Sequence, residues 1–155
     1  MLPNSPYTIF TIGLVRREPA RIILAVEERF RPALKELERF SHAIVLWWFS
    51  EFEADHYRTV LRSQPPYEAP VTGVFGSRSP LRPNPIGLSV VPLVAVNQSS
   101  GEVEIAGIDA RDGTPVLDIK PYYPCCDRVR ECRTPEWAAG WGEWLPDEGL
   151  ALEEY

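Results

Sequence analysis

Proline decides first what this chain cannot be. Sixteen of its 155 residues are proline, and each ring fixes φ at about −65° and removes an amide donor, which closes much of the sequence to long helices and to the centres of wide sheets. The prolines fall mainly between apolar runs, so the chain reads as short strands joined by stiff connections. With 45% hydrophobic residues, a chain of this length can bury one good core and is short for two ordinary domains, so one domain over residues 1–155 is expected.

Tyr7 to Val15 (YTIFTIGLV) is rich in β-branched and aromatic residues, and RIILAV from Arg21 reads as a second strand after Pro19. Pro32 to Phe40 (PALKELERF) predicts a short amphipathic helix opened by a proline suited to a first turn. AIVLWWF, after Ser41 and His42, is an uninterrupted apolar run that suits a strand buried on both faces. Asp55 to Ser63 is ambiguous between strand and helix. Val71 to Phe75, Ile86 to Asn97, Glu102 to Ile108 and Pro115 to Lys120 read as further strands, with Asp112-Gly113 a tight turn before the last. From Pro135, Trp137, Trp141 and Trp144 recur at helical spacing and predict a terminal helix that packs its indoles on the barrel or on a second subunit, an aromatic ligand site being the alternative. The fold class these elements imply is mainly β (α+β), a small β-barrel or sandwich with short peripheral helices.

Several function classes are excluded early. No apolar run approaches the ~18 residues that span a bilayer, and the start, MLPNSPYTIF, lacks a basic leader, so a soluble cytoplasmic protein is expected. Cys125, Cys126 and Cys132 are odd in number and lack zinc-ligand spacing, which fits free thiols in a reducing compartment and no metal site. Nucleotide-loop, nucleophile-elbow and zinc-protease signatures are missing, and His42 and His56 stand alone. A net charge of −6 argues against generic nucleic-acid binding, because nonspecific affinity comes from Lys and Arg neutralising phosphates. RNA contact would have to be local, through Arg78 and Arg82 or through Lys120, Arg128, Arg130 and Arg133.

The segment Gly73 to Ser89, GVFGSRSPLRPNPIGLS, carries more than a surface loop needs. Pro80, Pro83 and Pro85 push Ser79, Arg82 and Asn84 towards extended backbone and make the crossing rigid. Such a loop presents fixed carbonyls and the guanidinium forks of Arg78 and Arg82, which can grip a carboxylate, a phosphate or a purine edge. It could equally be a rigid turn whose arginines pair with Asp and Glu. In IDARDGTPVLDIKPYYP, Asp118 and Lys120 lie two apart on one strand face with Tyr122 at the strand end, an arrangement open to a site or to a surface ion pair.

With LERFSHAIVLWWF before it and DGTPVLDIKPY after it, GVFGSRSPLRPNPIGLSVV resembles the TrmO/TsaA-like family over roughly residues 12–124. The resemblance implies a small β-barrel methyltransferase that uses S-adenosylmethionine, works as a homodimer, and N6-methylates threonylcarbamoyladenosine at position 37 of certain tRNAs. It implies cofactor contacts at Arg78, Leu88, the strand Ala106-Gly107-Ile108-Asp109, and Ser50-Glu51, where tRNA-modifying members carry His-Gln. Arg82, Asn84, Lys120 and Tyr122 would line the acceptor side, and no catalytic acid or base is singled out. Arg16-Arg17-Glu18-Pro19-Ala20 stands where the family has an insertion that touches the cofactor. A methyltransferase with a small-molecule acceptor and a noncatalytic S-adenosylmethionine-binding module are the alternatives.

Overall fold

The computed structural model describes residues 7–65 and 68–149. Its strands are β1 (Gly13–Glu18), β2 (Arg21–Val26), β3 (His42–Trp48), β4 (Arg62–Ser63), β5 (Thr72–Gly73), β6 (Ile86–Asn97), β7 (Glu102–Ile105) and β8 (Pro115–Pro121). Six of them close a barrel in the order β1-β2-β7-β6-β3-β8, and β4 and β5 form a separate two-stranded ribbon. Every pairing is antiparallel. The closing seam is the shortest in the barrel: β1 meets β8 only at Gly13 opposite Val116 and Leu14 opposite Pro115, extended by bonds from the amides of Ile12 and Val15.

Strand alternation fills the interior. Ala43, Val45 and Trp47 of β3 point inward and are buried, as are Val15, Leu24, Val91, Val103 and Val116 from the other barrel strands. Ile44, Leu46 and Trp48 are half-buried on the outer face, so AIVLWWF is not buried on both sides: a closed sheet has one interior, and this strand's outer residues lie outside it. Beside them on β6 stand Ile86, Leu88 and Val90, with Leu88 43% exposed, so the outer face of β6 and β3 is apolar.

Ile86–Asn97 is a strand as its sequence predicts, and β8 extends one residue past Lys120. Tyr7 to Ile12 is not strand; β1 begins at Gly13 and runs on to Glu18. In place of the helix over Pro32 to Phe40, two 3-10 segments occupy Glu28–Leu34 and Leu37–Arg39, split by Glu36 at φ 71°. Each segment buries one leucine, Leu34 and Leu37, and segments so short cannot support an α-helical nucleus. Asp55 to Ser63 divides into one α turn, α1 (Asp55–Arg58), and β4. Val71 to Phe75 supplies only β5 and the start of a 3-10 turn, Val74–Gly76. Beyond β8 come α2 (Pro124–Asp127) and a 3-10 segment, Glu136–Trp141, closed by Gly142 at φ 88°. The tryptophan stripe therefore does not form one buried face: Trp137 is half-buried against Trp141, and Trp141 and Trp144 are 50% and 68% exposed.

A candidate cofactor cleft at the end of β3

The predicted strand Ala106 to Asp109 is a bent loop, because β7 stops at Ile105 and the backbone turns into the barrel end. Ile108 and Ala110 are fully buried there, which leaves Asp109 between them at the rim. Asp112-Gly113 makes the turn into β8, with Gly113 at φ 76°, where a side chain would be strained.

A cleft of about 420 Å³ opens at this rim. The end of β3 contributes Trp47 and Phe49, the start of β6 contributes Ile86, Gly87 and Leu88, and the proline-rich loop contributes Ser77, Arg78, Arg82, Pro83 and Asn84; Phe75 and Asp109 complete it. Gly87 is required by packing, since a Cβ there would lie 2.3–2.6 Å from Trp47 ring atoms. The register of β3 against β8 slips between Leu46, opposite Asp118, and Trp47, opposite Val116, an irregularity of the kind found beside sites.

Hydrogen bonds hold the loop as well as its prolines do. Arg58 Nε donates to the Pro83 carbonyl at 2.9 Å, the Phe49 amide to the Pro85 carbonyl at 2.8 Å, and the Ser63 and Ser77 hydroxyls meet at 2.9 Å. Arg82 donates to the carbonyls of Ser77 at 3.3 Å and Ser79 at 3.4 Å. Arg82 therefore staples the loop, and the carbonyls next to prolines find donors. Arg78, by contrast, is exposed at the cleft and makes no hydrogen bond or ion pair among the described residues.

Asp109 is oriented from within the barrel. Trp47 Nε1 donates to Ser89 Oγ at 2.9 Å, and Ser89 Oγ donates to Asp109 Oδ1 at 2.6 Å. The direction is forced: an indole can only donate, so the buried serine has its one proton left for the carboxylate. Asp109 Oδ1 is thus an acceptor already in use, and its other oxygen makes no hydrogen bond among the described residues. A guanidinium without a partner and a carboxylate with one oxygen to spare thus share the cleft, together with the aromatic rings of Phe49 and Phe75. That set complements a ligand with a carboxylate at one point and hydroxyl or ammonium donors at another, in a volume within the usual range for small-molecule sites. S-adenosylmethionine has these groups and fits.

Of the predicted positions, the structure gathers Arg78, Leu88, Asp109, Arg82 and Asn84 in one cleft. Ala106, Gly107 and Ile108 do not line it; they build the barrel-end loop beneath Asp109. Ser50 opens a 3-10 turn, Ser50–Phe52, and both Glu51 oxygens accept from Arg111 at 2.8 Å, so this pair ties the end of β3 to the Asp109 loop. Lys120 pairs with Asp118 at 2.7 Å, and the bond raises the Lys120 ammonium above its ordinary value. Lys120 lies opposite Ile44 and the Tyr122 amide bonds to the His42 carbonyl, which sets them roughly 10 and 17 Å along the sheet from Trp47 at ~3.3 Å per residue. Within one chain they stand apart from the cleft. Trp47, Phe49, Phe75 and Ser89 were not predicted; the detectable signal was Gly87, a glycine inside a strand, which marks close approach of another group.

Among the described residues no cluster of three or more metal-ligating side chains is present, and no helix is long and apolar enough to cross a membrane. The cysteines are free and exposed, with Cys125 Sγ 3.8 Å from Cys126 Sγ.

Residues 13–128, barrel and cleft together, match the family model described as the tRNA-methyltransferase O N-terminal domain. The chain belongs to that family. A relative from Archaeoglobus fulgidus, a probable S-adenosyl-L-methionine-binding protein, is 39% identical over 145 residues, 90% of this chain and 36% of its own length. The tRNA (adenine(37)-N6)-methyltransferase of Escherichia coli is 32% identical over 142 residues, 90% of this chain and 58% of its own. The crystal structure of TrmO from Pseudomonas aeruginosa matches with a TM-score of 0.64 and 34% identity, covering 83% of this chain and 62% of that one. The chain thus spans between about a third and two thirds of these relatives, and the barrel is the part held in common with this tRNA-methyltransferase O family.

Proposed function

We propose that the cleft binds S-adenosylmethionine and that the protein methylates N6 of an adenosine in tRNA, threonylcarbamoyladenosine at position 37 being the acceptor that the resemblance implies. The observation that carries this reading is the pairing of an unpartnered Arg78 with a half-satisfied Asp109 across one aromatic-edged cleft. Arg78 would hold the amino-acid carboxylate, and Asp109 would accept from a hydroxyl or ammonium. Phe49 and Phe75 would offer ring faces to the sulfonium, a contact of about 0.5–2 kcal/mol. The cofactor, when bound, supplies an electrophilic methyl group. The protein's own contribution is alignment of donor and acceptor, which can be worth roughly 7–11 kcal/mol of barrier. Asn84 lines the same cleft with an exposed amide that can both donate and accept, the complement of an adenine edge.

The unit that acts would be a cytoplasmic homodimer. Its support is the apolar outer face of Ile44, Leu46, Ile86 and Leu88, which runs into the cleft at Ile86 and Leu88. Lys120 lies opposite Ile44, at the margin of this face.

The test is calorimetric titration with S-adenosylmethionine, followed by incubation with tRNA lacking the methyl group and mass analysis of its nucleosides. Micromolar binding and a methylated adenosine are expected. Binding without transfer to tRNA would favour a small-molecule acceptor, which the net charge of −6 suits, or a noncatalytic binding module, which the Ser50-Glu51 departure suits; absence of binding would remove the cofactor reading.

A further inference from the structure

We propose that Arg17 is a positioning residue for the Asp109 carboxylate, acting through the backbone of the loop that carries it; what this does to ligand binding rests on the reading of the cleft given above.

Along β1 burial alternates, with Gly13 and Val15 inward and Leu14 and Arg16 outward, so position 17 falls on the core side of the strand. A charged residue there needs partners, and the structure supplies them from a single segment. Arg17 Nε donates to the Ala110 carbonyl at 2.9 Å, its terminal nitrogen donates to the Ile108 carbonyl, and its backbone amide donates to Asp112 Oδ1 at 2.8 Å. The two carbonyls belong to buried residues in irregular backbone, where no neighbouring strand can satisfy them. They also bracket Asp109, so one planar guanidinium fixes the peptide on either side of the carboxylate that lines the cleft. A fork can serve two carbonyls at a set angle, whereas an ammonium is a point donor and would hold one well. Ser89 then orients the side chain itself. Arg16 provides the contrast: its guanidinium pairs on the outer face with Glu18 and Glu102 and touches none of this loop.

Hydrogen–deuterium exchange of the ligand-free protein tests the mount directly. In Arg17→Gln the amides of Gly113 and Thr114, which close the loop onto the carbonyls of Val15 and Arg111, should exchange at least tenfold faster than in the parent, Arg17→Lys should fall between, and Arg16→Gln should leave them unchanged. S-adenosylmethionine titration supplies the second readout. Arg17→Gln should weaken binding at least tenfold, yet add little when made in an Asp109→Asn background, because its effect passes through Asp109. Unchanged exchange in Arg17→Gln, or a full additional loss in the double variant, overturns the proposal. If Arg17→Gln does not fold, Arg17→Lys is read in the same two assays, with a smaller gain in exchange and a smaller loss of binding expected. Failure of the parent protein to bind S-adenosylmethionine defeats the cleft reading, while the exchange result still decides whether Arg17 holds the loop.

Discussion

The loop over residues 73–89 and the segment after β8 look alike in composition, both rich in proline and arginine, yet they are built differently. In the first, carbonyls next to prolines find donors in Arg58, Phe49 and Arg82, and the Trp47 ring closes against Gly87. In the second, Arg128 rests 5.0 Å over the ring of a largely exposed Trp144, and Arg130 and Arg133 have no ion-pair partner among the described residues. The difference teaches that prolines alone do not make a site. Rigidity arises where the carbonyls they strand are taken up by neighbours, and what is left unpartnered there, Arg78 and one oxygen of Asp109, is what a ligand can use.

The contrast can be broken most forcefully at Gly87. Gly87→Ala drives a methyl into the Trp47 ring and should cost about 2 kcal/mol, roughly 5 °C of melting temperature, with ligand binding lost alongside. A melting curve that superimposes on the parent's would show that the close approach is not needed. Arg78→Ala, in the same loop, should leave melting unchanged and weaken S-adenosylmethionine at least tenfold, about 1.4 kcal/mol by calorimetry. On the other side of the comparison, changing Arg128 and Arg130 together to Ala should leave cofactor affinity intact. It should flatten the log–log salt dependence of tRNA binding by about one to two units, at ~0.7 per phosphate contact on a single strand. Trp144→Ala should change stability by no more than about 0.5 kcal/mol, since its ring is mostly in solvent.

The smallest effect expected concerns the acidic limb of stability. The hydrogen bond from Arg21 holds the Glu18 carboxyl below its ordinary value. A depressed carboxyl stabilises the fold above its unfolded pKa and loses that contribution as pH falls through the folded one. The β1–β2 hairpin should therefore weaken slightly in that acid window. Glu18→Gln should remove this shallow dependence in melts taken across it, and an unchanged slope would count against the pair.

How much could be read beforehand follows the same division. Ile86–Asn97 was legible because a mostly aliphatic and β-branched run, interrupted by Gly87 and Pro92, stands between a proline-rich loop and a turn. Arg78, Leu88 and Asp109 were found through a motif, and the structure brings them to one cleft. Trp47 and Phe49 were hidden inside AIVLWWF, where periodicity cannot say which end of an apolar run meets the surface. Lys120 and Tyr122 belong to the acceptor side in the family resemblance, and the sequence shows only that they lie on and just past one strand, not which end of that strand the cleft occupies. Register decides that, and it emerges only when β3 pairs with β6 on one side and β8 on the other. Arg17 escaped because its partners are carbonyls more than ninety positions away, which no residue type announces.

The narrow seam between β1 and β8 bears on the time course of folding. It joins Gly13 to Val116, so nearly the whole barrel sequence must be gathered before those few bonds can form, and the entropy of closing so long a loop has little pairing to offset it. The ribbon β1-β2-β7-β6-β3-β8 can assemble as an open sheet first, with the seam closing last and opening first. A protein built this way should show protection from solvent appearing late at Ile12 to Val15 and at Thr114 to Val116 during refolding, and it is across that join that Val15 and Gly113 bond, one strand-length from the loop that presents Asp109.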